Sequence, residues 1–528
     1  MQQNKQGMAL TLFAIGVFMG GLDNGIMSSA LTTIISSFGV NANWGSWVVT
    51  IYTLGLAVSI PIMAKLSDDY GRNRMFIIAV SLFGVGSMLV ALSHSFTMIL
   101  ISRVIQALGG GGIFPIANGY IVSSFPLDKQ GKALGMVGGM NGIAAILGPN
   151  IGSLILGVTH NDWHWLFWIN VPIALLLVIF SMRSIKENKS SANSGLDFIG
   201  IVTLSLAMLS LMYSLTNLKG ANLGASMSHP QFYAFFVVGV VLLVALLFIE
   251  NAIARRGKDP LIPMQLFRRT ELRWTLLIGL TSGLTLASVI FLPAFNQIIL
   301  GWPSSQAGYW YTPMALASGV GAMGGGAFMD KRGPIGTLII GMIAAAIGAL
   351  LFPLWVHHTW QMVIASAFIG FGVGVTLGAP INFLITENVP DSKSTALGIL
   401  SLTRTAGMTL GPTVFAGFLS RAMAKFPTLL MKNLSSAGIP PSSIPQSELA
   451  KMNAVESFGN INSQVQQIPA PSVRNAILNA IHTVAQQGFN HLYYATLVIA
   501  LASLVIIAIT SYYRSKAMKL DAATNTTS

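Results

Sequence analysis

The chain has 528 residues, of which 53% are hydrophobic and only 9% charged. A soluble domain carries about 25% charged residues, so soluble-enzyme readings are excluded at the outset. The net charge of +13 would point to nucleic acid in a soluble protein; here it has a simpler source, the excess of Lys and Arg in cytoplasmic loops of membrane proteins. Cysteine is absent, which excludes disulfides, thiol chemistry and Cys-based metal sites.

Apolar runs of the length that crosses a bilayer, about 20 residues each, recur to the end of the chain. They fall at 8–36, 44–64, 75–93, 96–122, 131–157, 164–182, 197–217, 231–253, 274–299, 305–329, 335–355, 360–385, 394–420 and 491–513. Irregular backbone cannot face lipid, so these are predicted helices. Residues 1–7 read as a short polar leader followed by a full span, with no cleavage site expected. Lys and Arg fall in alternate connections, from Lys5 through Arg72, Lys132, Arg183, Arg269 and Arg332 to Arg514. The opposite side holds Lys219 and one long loop with Arg421, Lys425, Lys432, Lys451 and Arg474. This bias predicts that both termini are cytoplasmic.

The first span carries Asp23, its only charge. A charge at mid-bilayer costs at least about 2.5–3.5 kcal/mol, and such residues are by default functional. The alternative is a neutral carboxyl hydrogen-bonded in a helix interface. At 1.5 Å per residue Asp23 lies roughly 22 Å from the cytoplasmic entry, with Met19 and Met27 on its helical face. After the second span comes a short turn with Asp68, Asp69, Gly71, Arg72 and Arg74, readable as a capped turn or as an ionic latch. In the fourth span Arg103 sits about 10 Å below the outer surface, near the level of Asp23, and Gln106 continues its face. Arg103 would either tune the carboxyl or pin backbone carbonyls.

The fifth span is rich in glycine and contains Gly148, Pro149 and Gly152. Small residues let helices approach closely and proline bends a helix, so a moving seam between bundles is predicted, with ordinary tight packing as the alternative. Stretch 183–273 holds two spans between basic flanks. After it, the connection Phe328–Gly333 echoes Leu66–Arg74, an internal repeat of the kind found in secondary transporters. The predicted division is a six-helix bundle over 1–183, a two-helix insert over 184–256 and a second six-helix bundle over 257–528. The last includes an outer loop at 421–490, with a surface helix near 473–487. Arg404 lies about 15 Å into the thirteenth span with no acid at its depth, free to bond carbonyls or to attract an anionic group. No membrane acid besides Asp23 is expected.

A substrate cavity is predicted to be lined by Met19, Met27, Asn118, Met140, Asn141, Phe295, Asn296, Gln297, Tyr311 and Phe371. No P-loop, metal-ligand spacing or nucleophile–base pair is visible, so neither ATP-driven transport, a cofactor nor an enzyme is expected.

Several motifs carry a resemblance. They are Leu22-Asp23 with Ala30-Leu31; Trp47-Val48-Val49-Thr50-x-Tyr52; Ala64-x-Leu66-x-Asp68-x-x-Gly71-Arg72-x-Arg74; and Arg103-x-x-Gln106 with Gly109 and Gly110. Gly148-Pro149-x-x-Gly152, Trp165-x-Phe167-x-x-Asn170-x-Pro172 and Gln297 with Gly308 and Pro313 complete the series. In this order the chain resembles the fourteen-helix drug/proton antiporter branch of the major facilitator superfamily. It departs at Gly25, Thr32, Ala64, Asp69 and Ala107. The resemblance implies an all-α major facilitator fold of two six-helix bundles plus two inserted helices. It also implies proton-coupled export of amphipathic or cationic drugs from a bacterial-type plasma membrane, acting as a monomer with protons and small molecules as partners and no nucleic acid. Export of an endogenous lipid, fatty acid or metabolite, or a non-transporting sensor or scaffold, are the rival expectations.

Overall fold

Helices occupy every predicted span in the computed structural model. It describes residues 2–40, 42–45, 47–184, 197–218, 223–255, 269–302, 308–387, 389, 392–436 and 471–525, and no strand occurs among them. The long helices are α1 (Gln2–Phe38), α2 (Trp47–Tyr70), α3 (Arg72–Ala91), α4 (Phe96–Ser124), α5 (Leu127–Val158), α6 (Asn170–Ser184), α7 (Phe198–Thr216) and α8 (Pro230–Arg255). They continue with α9 (Thr270–Ser288, running on to Ile298), α10 (Tyr311–Arg332), α11 (Pro334–Trp355), α12 (Thr359–Leu377), α13 (Lys393–Met423) and α14 (Pro471–Asn525). Among the described residues 11 helices are long and apolar enough to cross a membrane, or 12 if the bent α5 counts as one span. Helices α10 and α13 fall short only because Gly, Ser and Thr dilute their apolar character. They need little lipid-facing surface, since α10 packs against α5 and α12, and α13 against α2, α4, α9 and α14.

Helices α1–α6 pack chiefly on one another, as do α9–α14, which makes two six-helix bundles. Two seams join them, α5 against α10 and α2 against α13. The inserted α7 and α8 pack as a pair on the outside of α2, where the rings of Trp47 and Tyr213 lie 6.1 Å apart. Only 17% of the apolar window of α8 is buried, the lowest share of any span, so most of its surface faces lipid.

Three findings differ from the sequence expectations. First, the glycines of α5 form two faces, and Gly148 and Gly152, expected at a seam between bundles, are not on the face that forms it. Gly131, Gly135 and Gly139 meet Gly326, Ala322 and Gly319 of α10, at the seam between bundles. Gly148 and Gly152 instead meet Gly25, Ile26 and Ser29 of α1, inside the first bundle. Helix α5 bends by 47° between Leu127–Ala144 and Leu147–Val158. Pro149 is the cause: it lacks the N–H that residue 145 would accept, and its ring crowds that carbonyl.

Second, the expected surface helix at 473–487 and the last span are one continuous 55-residue helix, α14. At 1.5 Å per residue this is about 80 Å long, far more than a bilayer needs. Its projecting half is held by the helix Phe426–Ser436, with Phe426, Leu430 and Leu434 packed on Val473, Ile477 and Val484. Of the predicted outer loop, residues 437–470 lie outside the described part.

Third, Glu250 in α8 is completely buried, against the expectation that Asp23 is the sole membrane acid. Its carboxylate comes against Gly200 at the start of α7. A charge five residues from a basic helix end reads as interfacial in sequence, and only the pairing of α7 with α8 encloses it.

A buried carboxylate cluster and two clasps across the bundle seams

Asp23, on α1, is 1% exposed, and so is Arg103 on α4. Their contact, which the sequence left open, is made: Arg103 Nη1 stands 2.8 Å from Asp23 Oδ2. Gln106, one turn along α4, donates from Nε2 to Asp23 Oδ1 at 2.8 Å and accepts from Arg103 Nη1 at 2.7 Å. Both carboxylate oxygens therefore hold a donor. The spacing Arg103-x-x-Gln106 matters because residues three apart share a helix face.

Residues that sequence reasoning did not place in the cluster complete it. Ser87 of α3 accepts from Gln106 Nε2 at 2.9 Å, and Asn170 of α6 donates to Ser87 at 3.4 Å. The Arg103 guanidinium lies 4.0 Å from the centre of the Tyr52 ring, and Arg103 Nε reaches the Val48 carbonyl at 3.4 Å. Tyr52 and Asn170 stood in quoted motifs, so a signal existed; Ser87 had none. Close packing fixes these positions: a Cβ on Gly86 or Gly109 would run into backbone of the facing helix, at Gln106 and Phe83 respectively.

The turn after α2 forms a clasp between bundles. Asp68 pairs with Arg72 at 2.7 Å and accepts from the backbone N–H groups of Ser394 (3.3 Å) and Thr395 (2.8 Å), at the start of α13. Arg72 Nε donates to Ser394 Oγ at 3.0 Å. Asp69, the departure from the family pattern, turns aside to Lys65 at 3.0 Å and leaves Asp68 free to do this. Gly71 has φ +101°, a left-handed value that favours glycine. The sequence echo is matched in space: Gly333 has φ +80°, and Asp330 of α10 accepts from the N–H groups of Gly131 and Lys132 on α5, at 3.0 and 3.2 Å. Each seam thus ends in an aspartate from one bundle holding backbone donors of the other. Both clasps lie on the basic side that carries the termini, where Gln6 donates to the Ser124 carbonyl and Arg514 pairs with Glu387 at 2.8 Å.

The predicted cavity residues do not all converge. Met19 and Met27 are buried in separate apolar clusters, that of Met27 within the first bundle and that of Met19 extending into the second. Asn141 faces Gly21 of α1, and Met140 packs at the edge of the same cluster as Met19. Asn118 is fully buried with neither amide atom hydrogen-bonded. The backbone of Phe371 meets Gly321 of α10. Phe295 belongs to the aromatic core of the second bundle, with Phe352 and Phe489 at centroid distances of 5.2 and 5.3 Å, and so does not wall a cavity. Asn296 is buried, Gln297 half-buried, and Tyr311 donates to the Ile290 carbonyl at 3.1 Å. Arg404 is 5% exposed; its Nη2 donates to the Thr376 carbonyl at 3.1 Å and its Nε has no partner.

The profile of the Major Facilitator Superfamily matches residues 13–412. The chain is 48% identical over 518 residues to the uncharacterized MFS-type transporter YfiU of Bacillus subtilis, covering 98% of this chain and 99% of the relative. It is 30% identical to Multidrug resistance protein 3 of the same organism, covering 95% and 94%. The crystal structure of the human organic anion transporter MFSD10 superposes with a TM-score of 0.60 at 14% identity, over 95% of this chain and 99% of that one. At that identity the likeness speaks for the fold alone. With two six-helix bundles, two seams and a profile match over most of its length, the chain belongs to the major facilitator superfamily of multi-pass membrane transporters.

Proposed function

We propose that the protein is a proton-coupled exporter of amphipathic or cationic drugs, a member of the fourteen-helix antiporter branch working by alternating access. Asp23 carries the proton. The observation behind this reading is a carboxylate 1% exposed within a long apolar helix, held by an arginine and a glutamine. Protonating Asp23 dissolves its ion pair and leaves Arg103 without a counter-ion, though it keeps Gln106 Oε1 and the face of Tyr52 as partners. The buried cluster therefore has two arrangements separated by one proton, the kind of element that can switch.

In this reading Asp68, Gly71 and Arg72 latch the cytoplasmic side; Gly148, Pro149 and Gly152 let α5 rock on α1; and Arg404 gates the second bundle. Segments 1–183, 184–256 and 257–528 act as first bundle, insert and second bundle. The termini face the cytoplasm of a bacterial-type plasma membrane, and one chain suffices. Likeness to a multidrug resistance protein supports export of drugs.

The decisive experiment is dye transport driven by a pH gradient in proteoliposomes, with a lipophilic monocation of the ethidium type. Wild type is expected to transport, and Asp23→Asn to bind the dye but not to move it. Equal gradient-driven transport by the variant would sink the assignment of Asp23.

A further inference from the structure

Arg404 is a buried cation whose charge nothing nearby balances. Among the described residues, the other buried charged side chains are Lys65, Asp68 and Glu271 near helix ends on the basic side, Glu250 in the insert, and the paired Asp23 and Arg103. No acid lies within ion-pair distance of Arg404 among the described residues, and one hydrogen bond, to the Thr376 carbonyl, is formed by its five N–H groups. Burying a guanidinium on such terms costs several kcal/mol, and arginine does not shed its charge to escape that cost.

The place of that hydrogen bond is informative. Thr376 lies two residues before Gly378, where α12 breaks and a second helix, Ala379–Thr386, begins. Gly378 caps the new helix without any side chain, and since Pro380 has no N–H, the first-turn donors of Ala379 and Ile381 take no side-chain cap. The break is pressed against Gly138 of α5, at the seam between bundles. A half-helix N-terminus and an arginine short of acceptors, side by side at membrane depth, are two independent attractors for negative charge.

We propose that Arg404 and the break in α12 at Gly378 form a binding subsite for the oxyanion group of an amphipathic ligand, a carboxylate, sulfonate or phosphate. The proposal rests on the exporter reading and names a ligand class for it: a molecule with an apolar body that brings its own negative charge, anionic or zwitterionic. The Thr376 carbonyl alone would make Arg404 a cap for the broken helix. That role uses a single donor and supplies no charge, so it leaves most of the guanidinium without a counterpart.

The test is binding, not transport. The full chain is placed in phosphatidylcholine nanodiscs and titrated with dansyl-undecanoic acid and, separately, with its methyl ester. Charge-assisted hydrogen bonds to an oxyanion predict that wild type binds the acid about tenfold or more tightly than the ester. Arg404→Gln is expected to bring the acid to the affinity of the ester and to leave the ester unchanged; Arg404→Lys should fall between. Equal affinities in wild type, or an acid preference that survives Arg404→Gln, would overturn the proposal. The wild-type comparison decides it even if Arg404→Gln does not fold. Replacing part of the phosphatidylcholine with phosphatidylglycerol identifies the source: weaker acid binding with unchanged ester binding assigns the site to a lipid headgroup, and no change assigns it to free amphiphiles. Failure of proton-driven transport with the acid preference intact would remove the antiporter reading alone.

Discussion

Asp23 and Arg103 neutralise one another where neither has access to water, and this makes them interdependent. Removing one partner of a buried pair typically costs about 3–5 kcal/mol, because the other charge is left behind. Arg103→Ala is thus expected to lower the thermal stability of the purified protein sharply. Adding Asp23→Asn to it should restore part of the loss, since no buried carboxylate then remains. A double variant as unstable as the sum of the singles would mean that the two residues are energetically independent. The ingredients of this site were legible in sequence as isolated charges in apolar runs. Their contact was not, because it spans 80 residues of chain and depends on how α1 and α4 are rotated about their axes. The same rotational freedom explains why Phe295 reads as a cavity residue in sequence yet packs among Phe352, Phe489 and Tyr493.

Helix α5 does two jobs with one residue type. Its N-terminal glycines admit the backbone of α10 across the seam, and Gly148 and Gly152 admit α1. A side chain at Gly148 would collide with the backbone of Gly25, and backbone yields less readily than a side chain. Gly148→Val is expected to cost about 1–3 kcal/mol. Gly157, with open space where its Cβ would be, supplies the control: Gly157→Ala should leave the melting temperature unchanged or raise it slightly. Equal losses at the two positions would remove the close approach of α1 and α5 from the explanation. Glycine richness was plain in the sequence; the split into two faces was not, because the bend at Pro149 turns the second half of the helix away from the line of the first. The long α14 was missed for a different reason. Its outer half is amphipathic and polar enough to read as a surface segment, and it stands upright only because Phe426–Ser436 covers its apolar stripe.

Across the whole molecule, charge limits what the proposed exchange can carry. Moving one elementary charge through 100 mV is worth about 2.3 kcal/mol. One proton exchanged for one monocation moves no net charge, whereas one proton exchanged for a dication moves one positive charge outward. An inside-negative potential set with valinomycin is expected to depress export of a bisquaternary compound and to leave that of a monoquaternary analogue unaffected. Equal sensitivity of the two would exclude a one-for-one exchange at Asp23. Fold class, number of long helices and likeness of the two halves were all readable from hydropathy, basic loops and the repeated Asp–Gly turn, because lipid imposes those patterns directly. Of the helices that form the seams only α5 was readable, from its glycines; its partners were not, since protein-facing surfaces in a membrane carry no hydropathic mark, as the composition of α10 and α13 illustrates.

The paired aspartate clasps have a further consequence. Asp68 fastens α2 to α13 and Asp330 fastens α10 to α5, so the two halves are tied at two separate points on one face. Undoing one tie leaves the other as a pivot, about which the halves could only twist askew while most of their shared surface stayed closed. Useful opening needs both ties to let go together. In the proposed exchange cycle, such joint release leaves no half-open pathway on this side through which protons would leak.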